Sequence, residues 1–213
     1  MKQRRINTNT VIAVAALFTS VVAVVVAWDE SRLLRESQRA SFMPILNIEK
    51  SVSTAPDALR IEMDIRNSGN GVAIVRSGAL LLDGAPVADY DRMATATLGP
   101  DLGATADFSW TSLLGYYQPT ERKEILRFKW PDTPVNRTQL ETYIGEALQD
   151  NSQRLTLQVC YCSVFEECWQ VRDDAYAEPV RIKTCRSHAD PIDPIWQSYT
   201  ATRMKRPTSG DEE

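Results

Sequence analysis

Apolar and polar positions divide the chain into a run with no alternation, a long stretch that alternates at every second residue, and a polar end. Residues 11–28, VIAVAALFTSVVAVVVAW, hold no charge, Pro or Gly, and their only polar side chains are Thr19 and Ser20, which can bond back to a helix backbone. At ~1.5 Å per residue the run spans roughly 27 Å, near the ~30 Å hydrocarbon thickness of a bilayer. It predicts one transmembrane helix, with Trp28 in the interfacial belt. Residues 29–43 continue as a charged helical stalk, in which Leu33 and Leu34 stand among charges, and Pro44 ends it. The competing reading is a signal peptide cut before Trp28, after the small residues Val25 and Ala27. Against it, the run exceeds the ~7 to 15 residue apolar core of such peptides, and no helix breaker follows before Pro44.

Beyond Pro44 the period becomes two. Residues 45–52 predict a first strand. In residues 59–65, Leu59, Ile61, Met63 and Ile65 alternate with Arg60, Glu62 and Asp64, the one-wet-face pattern of an antiparallel sheet. Asn67-Ser68-Gly69-Asn70-Gly71 is a turn, and residues 72–75 resume a strand. Leu80-Leu81-Leu82 runs into Asp83-Gly84, which suits a type I′ hairpin. Strands follow at residues 104–110, with Ala106, Phe108 and Trp110 on one face, and at residues 126–130. Leu140, Tyr143, Ile144, Ala147 and Leu148 then form the stripe of one amphipathic helix, with Asn136 and Gln139 as its capping box. Leu155, Leu157, Val159 and Tyr161 alternate with Thr156, Gln158, Cys160 and Cys162 in the next strand. Residues 168–172 and 180–185 supply the last two strands. After Ser187 the chain turns polar and Pro-broken, which predicts a mostly disordered tail with Trp196 able to dock locally.

The expected architecture is therefore mainly β. It comprises a cytoplasmic stub (residues 1–10), a transmembrane helix (11–28), a stalk (29–43), a sandwich ectodomain (44–186) and the tail (187–213). The ectodomain is expected to be an immunoglobulin-like antiparallel β-sandwich with one inserted α-helix.

Charge changes the picture in one respect. The net charge is −4, and taking away Lys2, Arg4 and Arg5 leaves the rest more acidic still, which argues against nucleic acid as a partner. Basic residues on both sides of the apolar run, including Arg32, Arg35 and Arg39, leave its orientation to be decided by the cysteines. Cys160, Cys162, Cys168 and Cys185 are even in number and clustered, which favours disulfides in an exported domain. Cys160 and Cys162 share one strand face, and a five-residue connection returns Cys168 opposite Cys162. The preferred pairing is Cys162 with Cys168 and Cys160 with Cys185. Three rivals stay open, and one of them, four free thiols in a cytosolic domain, requires the opposite membrane orientation and leaves the clustering unexplained. Four-cysteine zinc sites more often use Cys-x-x-Cys pairs. A redox-active Cys-x-Cys would want a stabilised thiolate, yet Glu166 and Glu167 lie nearby.

No cofactor, metal or catalytic motif stands out. The one histidine, His188, lies at the edge of the polar tail, where a rigid Ser-His-Asp arrangement is not expected. Asp29-Glu30, Glu166-Glu167 and Asp173-Asp174 are adjacent carboxylates, which in a strand point to opposite faces. The Gly69–Gly71 cluster lacks the Lys-Ser/Thr of a phosphate loop. Asn136-Arg137-Thr138 matches a glycosylation acceptor, but helix capping explains Asn136.

Phe42-Met43-Pro44, the run Asn67-Ser68-Gly69-Asn70-Gly71-Val72-Ala73 and Cys160-Tyr161-Cys162-Ser163-Val164-Phe165 through Cys168-Trp169, behind an N-terminal anchor, carry a resemblance. The chain resembles uncharacterised single-pass bacterial envelope proteins with a small β-sandwich ectodomain. The resemblance implies a fold and a compartment, the bacterial inner membrane with the C-terminal domain in the periplasm, and no activity. The expected function is a non-catalytic interaction or structural module. Its partners would be the lipid bilayer, through residues 11–28, and an envelope protein or the cell wall. One alternative is a thiol-redox or other enzyme using the Cys160/Cys162 face. Another is a small-ligand binder with Trp110, Tyr116, Tyr117 and Trp130 at the sandwich mouth.

Overall fold

The computed structural model describes residues 8–55, 58–150, 155–173, 178–186 and 190–205. Of the expected stub, residues 1–7 with Lys2, Arg4 and Arg5 lie outside the described residues, as do Asp174 and His188, while residues 8–10 already belong to a helix. The chain forms two compact units, Met1–Phe42 and Met43–Glu213.

In the first unit, α1 (Thr8–Ser41) is one unbroken helix of 34 residues. Its apolar side chains face outward, with Phe18 and Trp28 71% and 77% exposed. Thr19 donates to the Ala15 carbonyl at 2.7 Å and Ser20 to that of Leu17 at 2.8 Å, so neither hydroxyl needs water. The helix is long and apolar enough to cross a membrane, a property shared by anchors and signal sequences.

The second unit is β-rich. Its elements in order are β1 (Leu46–Ala55), β2 (Ala58–Asn67), β3 (Ala73–Leu82), β4 (Ala85–Pro86), α2 (Tyr90–Leu98), α3 (Pro100–Thr105), β5 (Asp107–Trp110), β6 (Gly115–Tyr117), β7 (Arg122–Trp130), α4 (Pro134–Asp150), β8 (Leu155–Cys162), β9 (Cys168–Arg172), β10 (Val180–Ile182) and α5 (Asp193–Lys205). They build two antiparallel sheets. The first has the order β1-β2-β7-β5 and the second β10-β9-β8-β3-β4, with β6 also paired to β3.

The period-two residues face one shared core. Leu59, Met63 and Ile65 of β2 join Leu155, Leu157, Val159 and Tyr161 of β8 in a single buried cluster. Each fully buried large apolar side chain contributes about 1.5–3 kcal/mol, so this inner layer carries most of the stability. The Asn67 turn joins the sheets. Its side-chain oxygen accepts from Ile45 and Gly69, and its amide donates to the carbonyls of Gly71 (2.7 Å) and Tyr117 (3.0 Å), so this buried group is fully satisfied.

Several expectations need correction. The strands expected at residues 72–75 and 80–82 are one strand, β3, which begins at Ala73 and carries a register shift between Val75 and Ser77. The Asp83-Gly84 turn follows with φ of 50° and 81°, the left-handed pair that a type I′ loop requires. One inserted helix was expected, yet α2 and α3 precede α4. Asp89 caps α2 by accepting from Arg92, and Gly99 at φ 83° reverses the chain into Pro100 at the start of α3. Ala104 and Thr105, expected in a strand, finish α3, because the Gly-Pro start places them in helix before the alternation of β5 begins. The capping box is also displaced. α4 starts at Pro134, the Thr133 hydroxyl accepts from the Asn136 amide at 3.2 Å, and the Asn136 side chain donates to Pro131.

The largest correction concerns the tail. Residues 193–205 form α5, and Ile192 and Ile195 are fully buried. Residues 206–213 lie outside the described residues. Asp190 holds the approach to α5. Its carboxylate accepts from the Ser112 hydroxyl (2.9 Å) and the Leu113 amide (2.8 Å) with one oxygen, and from the Ile192 amide (3.0 Å) with the other. Trp196 and Tyr199 pack on the rings of Phe108, Trp110 and Tyr90. The Tyr199 hydroxyl accepts from the Phe108 amide at 3.4 Å, which satisfies part of the free edge of β5. Burying this aromatic group outweighs the cost of ordering a polar segment.

Candidate functional site

The cysteines gather on the outer face of the second sheet, and local strand geometry puts them there. In β8 the core takes Val159 and Tyr161, so Cys160 and Cys162 point away from it. The β8–β9 register sets Cys162 opposite Cys168 and Cys160 opposite Gln170. Between them the turn is tied by Ser163 and Glu167 (2.8 Å) and by Glu166 and Ser163 (3.1 Å), with Glu166 at φ 61°. Val164 and Phe165 at its tip are 55% and 43% exposed.

After β10, the segment 183–186 leaves the sheet edge and reaches inward across β9. It delivers Cys185 to Cys160 on β8, at a Cα separation of 5.7 Å. Cys162 and Cys168 are joined across the hairpin at a Cα separation of 4.0 Å. The structure thus brings all four cysteines together in two disulfides and leaves no thiol free. The sulfurs of Cys162, Cys168 and Cys185 lie within 4.8 Å of one another. As disulfides they present no thiolate, the form that binds metal or attacks as a nucleophile.

The strap formed by residues 183–186 walls an open groove of about 1080 Å³. Its sheet side is polar, with Ser77, Gln158 and Gln170, and Glu167, Arg181 and Lys183 stand at its rim. Arg181 pairs with Glu167 at 2.7 Å, and Arg172 donates to the Gln158 side chain at 2.8 Å. Gly78 in β3 matters on the opposite side: a Cβ there would lie 2.3 Å from Leu113 and 3.3 Å from Pro191. Only glycine lets the strand accept both the loop and the incoming tail.

Beneath the cysteines, Tyr161 is fully buried and stacked on Trp169. Burial pushes its hydroxyl up to about 12, and a hydrogen bond from the Leu46 amide (3.4 Å) pulls it back part of the way. Burial, then the charges of Glu121 and Asp190, raise Tyr117 above the ordinary tyrosine range. Its hydroxyl donates to Leu113 at 2.9 Å.

The aromatic quartet considered as a ligand mouth does not converge. Tyr117 and Trp130 are core residues, the latter donating to the Leu102 carbonyl at 2.9 Å. Trp110 packs on Trp196, while Tyr116 is 69% exposed on the outer face beside Ile74. Sequence reasoning missed the strap and the α5 lock. The spacing of Ile192, Ile195, Trp196 and Tyr199 at i, i+3, i+4 and i+7 is the signal that would have found α5. Compared with known proteins, the chain matches no family model, no curated protein and no solved structure.

Proposed function

We propose that the chain is a single-pass, non-catalytic module of a bacterial envelope, anchored by α1 in the inner membrane with its β domain on the oxidising, periplasmic side. The observation that carries this reading is the combination of a lipid-compatible helix and a domain whose every cysteine is paired.

An immunoglobulin-like sandwich is the architecture this reading assigns to the domain. It is supported by the strand orders β1-β2-β7-β5 and β9-β8-β3-β4, which correspond to A-B-E-D and G-F-C-C′ of that fold. The covalent staple differs. Here it joins the equivalents of F and G and a strap, instead of tying the two sheets together.

The contacting surface in this reading is the end of the second sheet that carries Val164, Phe165 and Tyr116, exposed apolar groups at a hairpin tip and on the adjoining short strand. Exposed loops and edges of a rigid sandwich suit recognition of another envelope protein or the cell wall. Topology is tested by alkylating intact cells and counting labelled cysteines with and without prior reduction. Four cysteines blocked until reduction are expected, and thiols labelled without reductant would place the domain in the cytoplasm. Contact is tested by recovering crosslinked material from gentle detergent extracts of wild type and of Val164→Asp/Phe165→Asp. A reproducible partner that the double variant loses is expected; recovery of the protein alone would sink the contact.

A further inference from the structure

We propose that Cys162 and Cys185 form an internal thiol–disulfide exchange site. Through it, two-electron reduction of either bridge leaves the strap joined to the sheet by a new Cys162–Cys185 bond.

The geometry that carries this is a contact between the two disulfides. Cys162 Sγ and Cys185 Sγ belong to different bridges, yet they lie 3.7 Å apart, at the touching distance of unbonded sulfurs. The cysteines also differ in access. Cys160, Cys162 and Cys168 are 8%, 7% and 5% exposed, while Cys185 on the strap is half-buried. Once an external thiol has opened one bridge, the thiolate left inside the cluster has a neighbouring disulfide as its nearest electrophile. Effective molarities of well-placed intramolecular reactions reach about 10⁵ M, far above millimolar. Internal exchange therefore outruns a second attack by millimolar external thiol.

The two routes converge. If an external dithiol reduces Cys162–Cys168, the Cys162 thiolate attacks Cys185 Sγ. The Cys185–Cys160 bond breaks, and the electron pair leaves on Cys160, which takes a proton from water. If the dithiol reduces Cys160–Cys185 instead, the Cys185 thiolate attacks Cys162 Sγ. The bond to Cys168 breaks and Cys168 takes the electron pair and a proton. Both routes end with a Cys162–Cys185 disulfide and thiols at Cys160 and Cys168. In each, the dithiol is oxidised to its disulfide and the protein gains two electrons. The strap, and with it one wall of the groove, stays covalently attached even when Cys160–Cys185, the bridge that holds it, is the one reduced.

The test is limited reduction of the full-length protein in detergent micelles with dithiothreitol, followed by rapid alkylation and peptide mapping of the doubly labelled species. Labels on Cys160 and Cys168, with a Cys162–Cys185 cross-linked peptide, are expected. Labels confined to Cys162 and Cys168, or to Cys160 and Cys185, would overturn the proposal. The double variant Cys160→Ser/Cys168→Ser provides an independent check, since under air it is expected to show no free thiol by intact mass. A variant that keeps the wild-type circular dichroism spectrum but retains two free thiols would count equally against exchange.

Discussion

The two outer faces of the β domain begin from the same alternation and end in different chemistry. On the first sheet, the outward positions of β2 and β7 carry charges that pair with one another. Glu62 takes Arg60 at 2.8 Å and Arg127 at 2.9 Å, Arg127 also meets Glu124, and Arg122 reaches Asp64 at 2.6 Å. On the second sheet, the outward positions of β8 and β9 carry cysteines and amides, and the chain returns across them as a stapled strap. Ion pairs whose arginines stand partly in water, as Arg60, Arg122 and Arg127 do, contribute about 0–1 kcal/mol each, because water and salt compete for the cation. A disulfide acts on the unfolded chain and contributes about 2–4 kcal/mol whatever the salt. A sheet face can therefore be finished by solvation or by covalent cover, and the second is needed where the covering segment is too short and polar to bury itself.

The sharpest way to break this contrast is to remove the strap bridge with Cys160→Ala/Cys185→Ala. With a sequence separation of 25 between the cysteines, chain entropy predicts a loss of about 3.5 kcal/mol, read as a lower urea midpoint. The hairpin bridge, with a sequence separation of 6, is expected to be worth only about 2 kcal/mol in the same assay with Cys162→Ala/Cys168→Ala.

Tyr161, under the stapled face, adds a pH dependence. Its value is raised from 10.0 to about 12 in the folded state, so its contribution is complete below pH 10 and is lost as pH rises through 12. The expected loss is about 2–3 kcal/mol, followed by reversible unfolding against pH together with tyrosinate absorbance. A stability that stays flat across that interval would refute the burial of this hydroxyl.

Asp190→Ala sharpens the comparison from the side of the tail. It leaves the buried Leu113 and Ile192 amides without their acceptor and is expected to cost about 1–3 kcal/mol, with faster amide exchange in α5 than in β8. The smallest effect belongs to the charged face. Arg127→Ala, at a half-exposed position, is expected to change stability by less than about 1 kcal/mol and to lose even that at high salt. A cost equal to that of the strap bridge would show that the ion-pair face is no mere solvated surface.

Much of the fold was legible because burial imposes its period on the residues themselves. Leu59 to Ile65 and Leu155 to Tyr161 read as strands with one buried face, and they are β2 and β8. The Asp83-Gly84 hairpin read correctly because two successive left-handed residues are needed there. The errors fall where local signals compete. Ala104 and Thr105 fit a strand by alternation but obey the Gly99-Pro100 helix start, and β6 is only three residues long, too short for any period. In the tail, Pro and polar residues masked a stripe of four apolar side chains, because their value depends on the aromatic cluster that receives them.

By itself, the sequence determined the apolar helix, the antiparallel alternation and the outward direction of Cys160 and Cys162, since each follows from local stereochemistry and solvent. Only the tertiary structure decided where α5 docks, that residues 183–186 cross β9, and that sulfurs from two different bridges touch. Those outcomes depend on groups distant in sequence meeting in three dimensions. No period or spacing along the chain encodes such a meeting.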